Sequence, residues 1–147
     1  MNETHKGGCH CGEIEFEFDS PNEVTVYRCN CSICQMTDYV HLIIPAAAFR
    51  LIRGNPSTYT FNSHVARHHF CSVCGIKSYY VPRSNPDGIS INFRCVDEST
   101  FSRVKYRDFD GRNWEANAPS LRHLSEQKNR SAERIKSRSG GPLSDAP

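Results

Sequence analysis

Between residues 12 and 19 apolar and acidic positions alternate: Ile14, Phe16 and Phe18 fall on one side of the chain, Glu13, Glu15 and Glu17 on the other. A period of two turns one row toward a core and the other toward water, which predicts an antiparallel strand with one wet face. Runs rich in β-branched and aromatic residues at 24–29, 40–44, 49–52, 57–61, 78–81, 89–93 and 104–109 predict further short strands. Between them, Ser20-Pro21-Asn22, Arg53-Gly54-Asn55-Pro56 and Ser84-Asn85-Pro86-Asp87-Gly88 supply the residues that reverse a chain. Helical signals are few. Residues 45–49 have room for one turn, and 97–102 for another with Asp97 as its N-cap. The pattern predicts a mainly β fold with few short helices.

After Leu121 the pattern dissolves. Residues 122–147 carry six Lys and Arg against three Asp and Glu, whereas 1–121 carry 12 against 13. We therefore read 1–121 as one folded domain and 122–147 as a basic tail with too few apolar residues to order itself. A domain this close to neutral has no broad basic face, so contact with nucleic acid or an acidic cytoskeletal filament would have to use the tail. No aromatic is interleaved there for base stacking. No apolar run approaches the ~18 residues of a membrane span, and the polar first eight residues lack the apolar stretch of a signal peptide. The expectation is a chain without a membrane partner in a reducing compartment, cytoplasmic or nuclear.

In such a compartment clustered cysteines point to metal rather than to disulfides. Seven of the eight cysteines fall in three groups: Cys9 and Cys11; Cys29, Cys31 and Cys34; Cys71 and Cys74, with Cys95 alone. Tight turns with two cysteines can place both thiolates on one tetrahedral ion. The pairs Cys9/Cys11 and Cys71/Cys74 can join from distant segments into a closed four-sulfur site. The compact run Cys29, Cys31, Cys34 is the natural three-ligand candidate. Structural zinc sites have four protein ligands and catalytic ones three with an open position, so the role of the second site turns on what occupies its fourth place. Closure by Cys95 or a histidine would mark a non-catalytic, zinc-stabilised interaction module; an open place would mark an enzyme.

The segments Gly8-Cys9-His10-Cys11-Gly12, Cys29-Asn30-Cys31-Ser32-Ile33-Cys34 and Phe70-Cys71-Ser72-Val73-Cys74-Gly75 resemble, in order and spacing, the glutathione-dependent formaldehyde-activating enzyme family, and within it most nearly the centromere protein V type. Thr58-Tyr59-Thr60-Phe61-Asn62, Pro82-Arg83-Ser84-Asn85-Pro86, Cys95 with Asp97-Glu98, and Trp114-Glu115 extend the likeness over about 7–115. The resemblance implies several short coiled antiparallel sheets, similar to the Mss4 type, stapled by two zinc ions. It implies a structural zinc on Cys9, Cys11, Cys71 and Cys74 and a catalytic zinc on Cys29, Cys31 and Cys34. It also implies a carbon–sulfur lyase-type reaction in which glutathione adds to formaldehyde, giving S-hydroxymethylglutathione, or the reverse. The centromere protein V likeness implies the alternative, a non-catalytic interaction module.

Three thiolates leave a bound dication with one net negative charge, a poor acid for splitting water but a soft acceptor of a further sulfur. Nearby positive charge would help, and Arg83 or Arg94 can supply it or pair with a substrate carboxylate. His41, Asp97 or a tyrosine are the candidate proton donors for the aldehyde oxygen. His10 reads as a solvent-facing spacer, His64, His68 and His69 as surface or supporting groups on a strand, Cys95 as buried and Trp114 as a core residue.

Overall fold

The computed structural model of the chain describes residues 2–126 and opens with a strand that the sequence pattern hides. β1 (Glu3–Gly8) has one buried residue, His5, yet pairs along its whole length with β2 (Glu15–Ser20). Pairing through the backbone needs no apolar side chains. It needs Gly7, where a Cβ would lie 2.7 Å from the Phe16 ring. In β2 the predicted alternation is complete, with Phe16 and Phe18 fully buried. The strand begins later than residue 12 because the turn after Cys9 uses Gly12 at φ 86°.

The remaining strands are β3 (Glu23–Cys29), β4 (Val40–Pro45), β5 (Phe49–Arg53), β6 (Ser57–Tyr59), β7 (Arg67–Phe70), β8 (Tyr79–Val81), β9 (Gly88–Asn92) and β10 (Arg103–Phe109). Among the described residues they form two sheets, β1-β2-β5 and β10-β3-β4-β9-β8-β7-β6. All pairs are antiparallel except β10 on β3, which runs parallel. Short helices α1 (Ser32–Thr37) and α2 (Trp114–Asn117) complete the regular structure with several 3-10 turns. Two of those turns, Ala46–Ala48 and Glu98–Thr100, lie where the sequence predicts single helical turns. Asp97 caps the second, accepting a hydrogen bond from the Ser99 amide at 3.2 Å. Among the described residues no helix is long and apolar enough to cross a membrane.

The larger sheet has two buried faces, and strand alternation sorts its residues between them. Val26, Leu42, Ile44, Tyr79, Ile89 and Ile91 pack with Phe16 and Phe18 of the smaller sheet as the main core. Their sequence neighbours Tyr27, His41, Ile43 and Tyr80 line a cavity on the other side, where α1 and α2 lie. One sheet thus separates the stabilising core from the chemistry.

The chain stays ordered beyond the expected limit at Leu121. A 3-10 turn spans Ala118–Ser125, with Leu121 and Ser125 buried. Asn85 fastens it: its side-chain amide donates to the Leu121 carbonyl at 2.9 Å and to Ser125 Oγ at 3.0 Å. The rest of the expected tail, 127–147, lies outside the described residues.

Candidate functional site

The first thiol cluster joins two turns separated by 60 residues. Cys9, Cys11, Cys71 and Cys74 have sulfurs all within 4.8 Å of one another. Cys11 Sγ lies 3.7 Å from both Cys9 Sγ and Cys71 Sγ. Four sulfurs at ~2.3 Å from one tetrahedral ion stand about 3.8 Å apart, so the donor set fits a metal without rearrangement. Backbone amides point at the same sulfurs: Ile14 N–H donates to Cys9 at 3.2 Å, and Val73 N–H to Cys71 at 3.3 Å. Gly75, at φ 80°, lets the second turn close. His10 is exposed, as expected of a spacer. Cys95 is only half-buried, and it lies toward this cluster, where its burial and the Cys9 and Cys74 thiols raise its pKa to about 11. It is not among the residues that gather at the second cluster.

The second cluster sits where β3 runs into α1. Cys29 ends the strand, Cys31 precedes the helix and Cys34 lies on its buried side. Asn30, Gln35 and Asp38 are braced from outside. Arg112 donates to the Asn30 carbonyl at 2.9 Å and to Gln35, and Arg94 pairs with Asp38 at 2.9 Å. Arg94 is therefore committed to holding the helix end rather than to a ligand. The sulfurs of Cys29 and Cys34 and a nitrogen of His41 lie within 4.8 Å of one another. His41 Nε2 is 3.1 Å from Cys34 Sγ. Cys31, predicted with them, is not in that set, although it adjoins Cys29 and Cys34. Hydrogen bonds from Cys29 and Cys34 hold its thiol well below the usual range, while Cys31 raises Cys29, and Cys29 and then Cys31 raise Cys34. Three thiols this close impede one another's ionisation, and a bound cation removes the conflict.

Gly111 makes room for the cluster. A Cβ there would run into Cys29 Sγ and approach Cys31 Cβ to 3.1 Å. Gly111→Ala should therefore leave the fold intact and weaken metal binding at the second cluster about tenfold or more, read as metal bound per chain under a competing chelator.

Around the cluster, Tyr27, Tyr80, Pro82, Phe109 and Trp114 wall a cavity of about 70 Å³, into which Cys29, Cys31, Cys34 and His41 also open. A cleft of about 310 Å³ adjoins it, the two sharing Cys31, Cys34, Tyr80, Arg83 and Trp114. Trp114 thus lines the site instead of the core. The Arg83 guanidinium stacks on its ring at 3.4 Å, and among the described residues no carboxylate lies within ion-pair distance of Arg83. Behind Tyr80, the Lys77 ammonium lies over the Tyr80 and Tyr39 rings at 4.0 and 4.7 Å and donates to His68 Nδ1 at 2.7 Å. Burial lowers its pKa to about 8 against the pull of the three thiols. His68 is buried and stacked on Tyr80, not at the surface; His64 is exposed. Asp97 is exposed and serves its 3-10 turn.

Residues 4–110 match the glutathione-dependent formaldehyde-activating enzyme family. A Halomonas elongata protein provisionally named a glutathione-dependent formaldehyde-activating enzyme is 30% identical over 79 residues, 47% of this chain and 50% of the relative. The chain thus spans half the length of that curated relative. A crystal structure of a Rhodobacter sphaeroides protein superposes with a TM-score of 0.57 at 30% identity, covering 69% of this chain and 99% of that one.

Proposed function

This chain belongs to the glutathione-dependent formaldehyde-activating enzyme family, and on that premise we propose that it is a zinc-dependent carbon–sulfur lyase-type enzyme acting on glutathione adducts of formaldehyde or another small aldehyde. Two zinc ions are assigned: a structural one on Cys9, Cys11, Cys71 and Cys74, and a catalytic one on Cys29, Cys31 and Cys34. The observation that carries the reading is the position of the second cluster, on the wall of a cavity of about 70 Å³ that opens into a cleft of about 310 Å³. The smaller space suits a one-carbon aldehyde and the larger a tripeptide-sized thiol.

In the forward direction a bond forms between the glutathione sulfur and the aldehyde carbon, and the thiol proton ends on the aldehyde oxygen. A soft cation on three thiolates supplies an acceptor that keeps a further sulfur as thiolate at neutral pH. The protein's own groups do the rest. Tyr27, Tyr80, Phe109 and Trp114 keep bulk water from the reacting centre. Arg83, held flat on Trp114 and with no acidic partner among the described residues, offers a planar fork to a glutathione carboxylate at the mouth shared by both spaces. Arg83→Ala should raise the KM for glutathione about 10- to 100-fold and change kcat much less, the loss of one charge-assisted pair; an unchanged KM would remove Arg83 from the site.

The test of the whole reading is the visible spectrum of the cobalt-loaded protein during titration with reduced glutathione. A saturating change in the cobalt–thiolate bands is the expected outcome. Bands that ignore glutathione would leave the second reading, a zinc-stabilised interaction module of centromere protein V type, which the nearness of His41 to Cys34, 3.1 Å, favours.

A further inference from the structure

We propose that His41 is a ligand of the second metal, its Nε2 joining Cys29, Cys31 and Cys34 in a site of three sulfurs and one nitrogen, and that Ser90 holds it there. The inference rests on the reading that the second cluster binds a metal, and it adds a residue outside the cysteine motif.

Geometry is the first support. On a tetrahedral ion, with metal–sulfur bonds of ~2.3 Å and metal–nitrogen bonds of ~2.0 Å, neighbouring S and N donors stand about 3.5 Å apart. His41 Nε2 is 3.1 Å from Cys34 Sγ, and the set with Cys29 closes within 4.8 Å. Cys31 stands outside that set, beside Cys29 and Cys34, and its sulfur would have to draw in to share the ion.

The second support is the far side of the ring. His41 Nδ1 is 2.9 Å from Ser90 Oγ. A histidine that donates Nδ1–H to a neighbouring oxygen presents the Nε2 lone pair for coordination, the arrangement found behind most metal-bound histidines. Strand register makes this contact. His41 in β4 stands opposite Asn92 of β9, and Ser90, two residues along β9, is its diagonal neighbour on the same face. Tyr39 fixes that stretch of β9 by donating its hydroxyl to the Ser90 carbonyl at 2.7 Å.

Third, the imidazole is buried with one nitrogen turned toward the thiols. His41 is 6% exposed, between the tyrosine rings of Tyr39 and Tyr80 and flanked in sequence by the apolar Val40 and Leu42. Burying a polar ring costs free energy unless both nitrogens are satisfied. Ser90 satisfies one, and the other points at the thiols.

Coordination by a neutral imidazole adds no charge to a site that already holds three thiolates. A histidine in the fourth place is also the mark of the interaction module; it is compatible with an enzyme because the imidazole, as the one neutral donor, is the donor that a substrate thiolate would displace, a metal–nitrogen bond giving way to a metal–sulfur bond.

Cadmium-113 NMR of the full chain, labelled with nitrogen-15 and loaded with cadmium, tests this without any assay of turnover. Two cadmium resonances are expected, one from four sulfurs and one shifted to the three-sulfur, one-nitrogen range, with a through-bond cadmium–nitrogen coupling to His41 Nε2. Ser90→Ala should weaken cadmium binding at the second site about 10- to 100-fold and leave the first unchanged. Two resonances without that coupling, His41 instead donating Nε2–H to a thiolate, would overturn the ligand assignment. A single resonance would overturn the underlying reading that the second cluster holds a metal.

Discussion

Replacing Cys71 with serine should leave no cooperative unfolding transition. Cys71 is 1% exposed, belongs to the main core and carries two amide hydrogen bonds on its sulfur. Its cluster ties the turn that follows β1 to the turn that follows β7, which a shared metal would join by bonds far stronger than any packing contact. A structural zinc of this kind contributes about 10–16 kcal/mol of apparent binding free energy at neutral pH. The net stability of a domain is only about 5–15 kcal/mol, so losing one ligand removes an amount comparable to the whole margin, although the apolar core between the sheets remains. Three thiols left without their cation would also repel one another on ionising. Far-ultraviolet circular dichroism during heating, together with zinc per chain, reads the result. A cooperative melt shifted by only a few degrees would show that the cluster is dispensable for folding.

Cys29→Ser should do the opposite: a cooperative melt near that of the parent, and glutathione-dependent turnover lower by more than about 100-fold. The magnitude follows because removing a partner one bond away from a metal ligand already costs about 10- to 100-fold, and Cys29 is itself a proposed ligand. The fold is spared because Cys29 lies on the cavity face of the larger sheet, where it packs with Cys34, Tyr39 and Tyr80 and not with Phe16 and Ile91. Steady-state kinetics beside a thermal melt separate the two effects. If Cys29→Ser and Cys71→Ser behaved alike, both clusters would be structural and the interaction module would be the better account.

The parts of this molecule that are legible in the sequence are those written in short-range pattern. Ile14, Phe16 and Phe18 announce β2 because side chains alternate along a strand, and the cysteine spacings announce metal because two thiols in one turn share a direction. Contacts made through the backbone leave no such trace, which is why β1 is silent and why the parallel pairing of β10 with β3 has no signal. The helix α1 is masked by the cysteine run that leads into it. His41 shows in the sequence only as one polar residue in an apolar strand. Its place at the thiols depends on the register of β4 against β9, a relation between residues 49 apart. Trp114 reads as a core residue for a similar reason: its ring faces the guanidinium of Arg83, a partner distant in the chain that no local pattern reveals.

The fastening of the C-terminal 3-10 turn by Asn85 also bears on how this protein can be cut. Asn85 is two residues from Arg83, in the turn between β8 and β9, and the Ser125 hydroxyl donates to Asp87 in the same turn at 2.7 Å. The strut that steadies the arginine of the cleft therefore comes from beyond Leu121. A truncation at that residue would deprive the buried Asn85 amide of its Arg122 and Ser125 partners and loosen the rim of the pocket, so any loss of activity would be wrongly credited to the basic tail. A chain shortened to Glu126 keeps those partners, and it is the one that asks what residues 127–147 contribute.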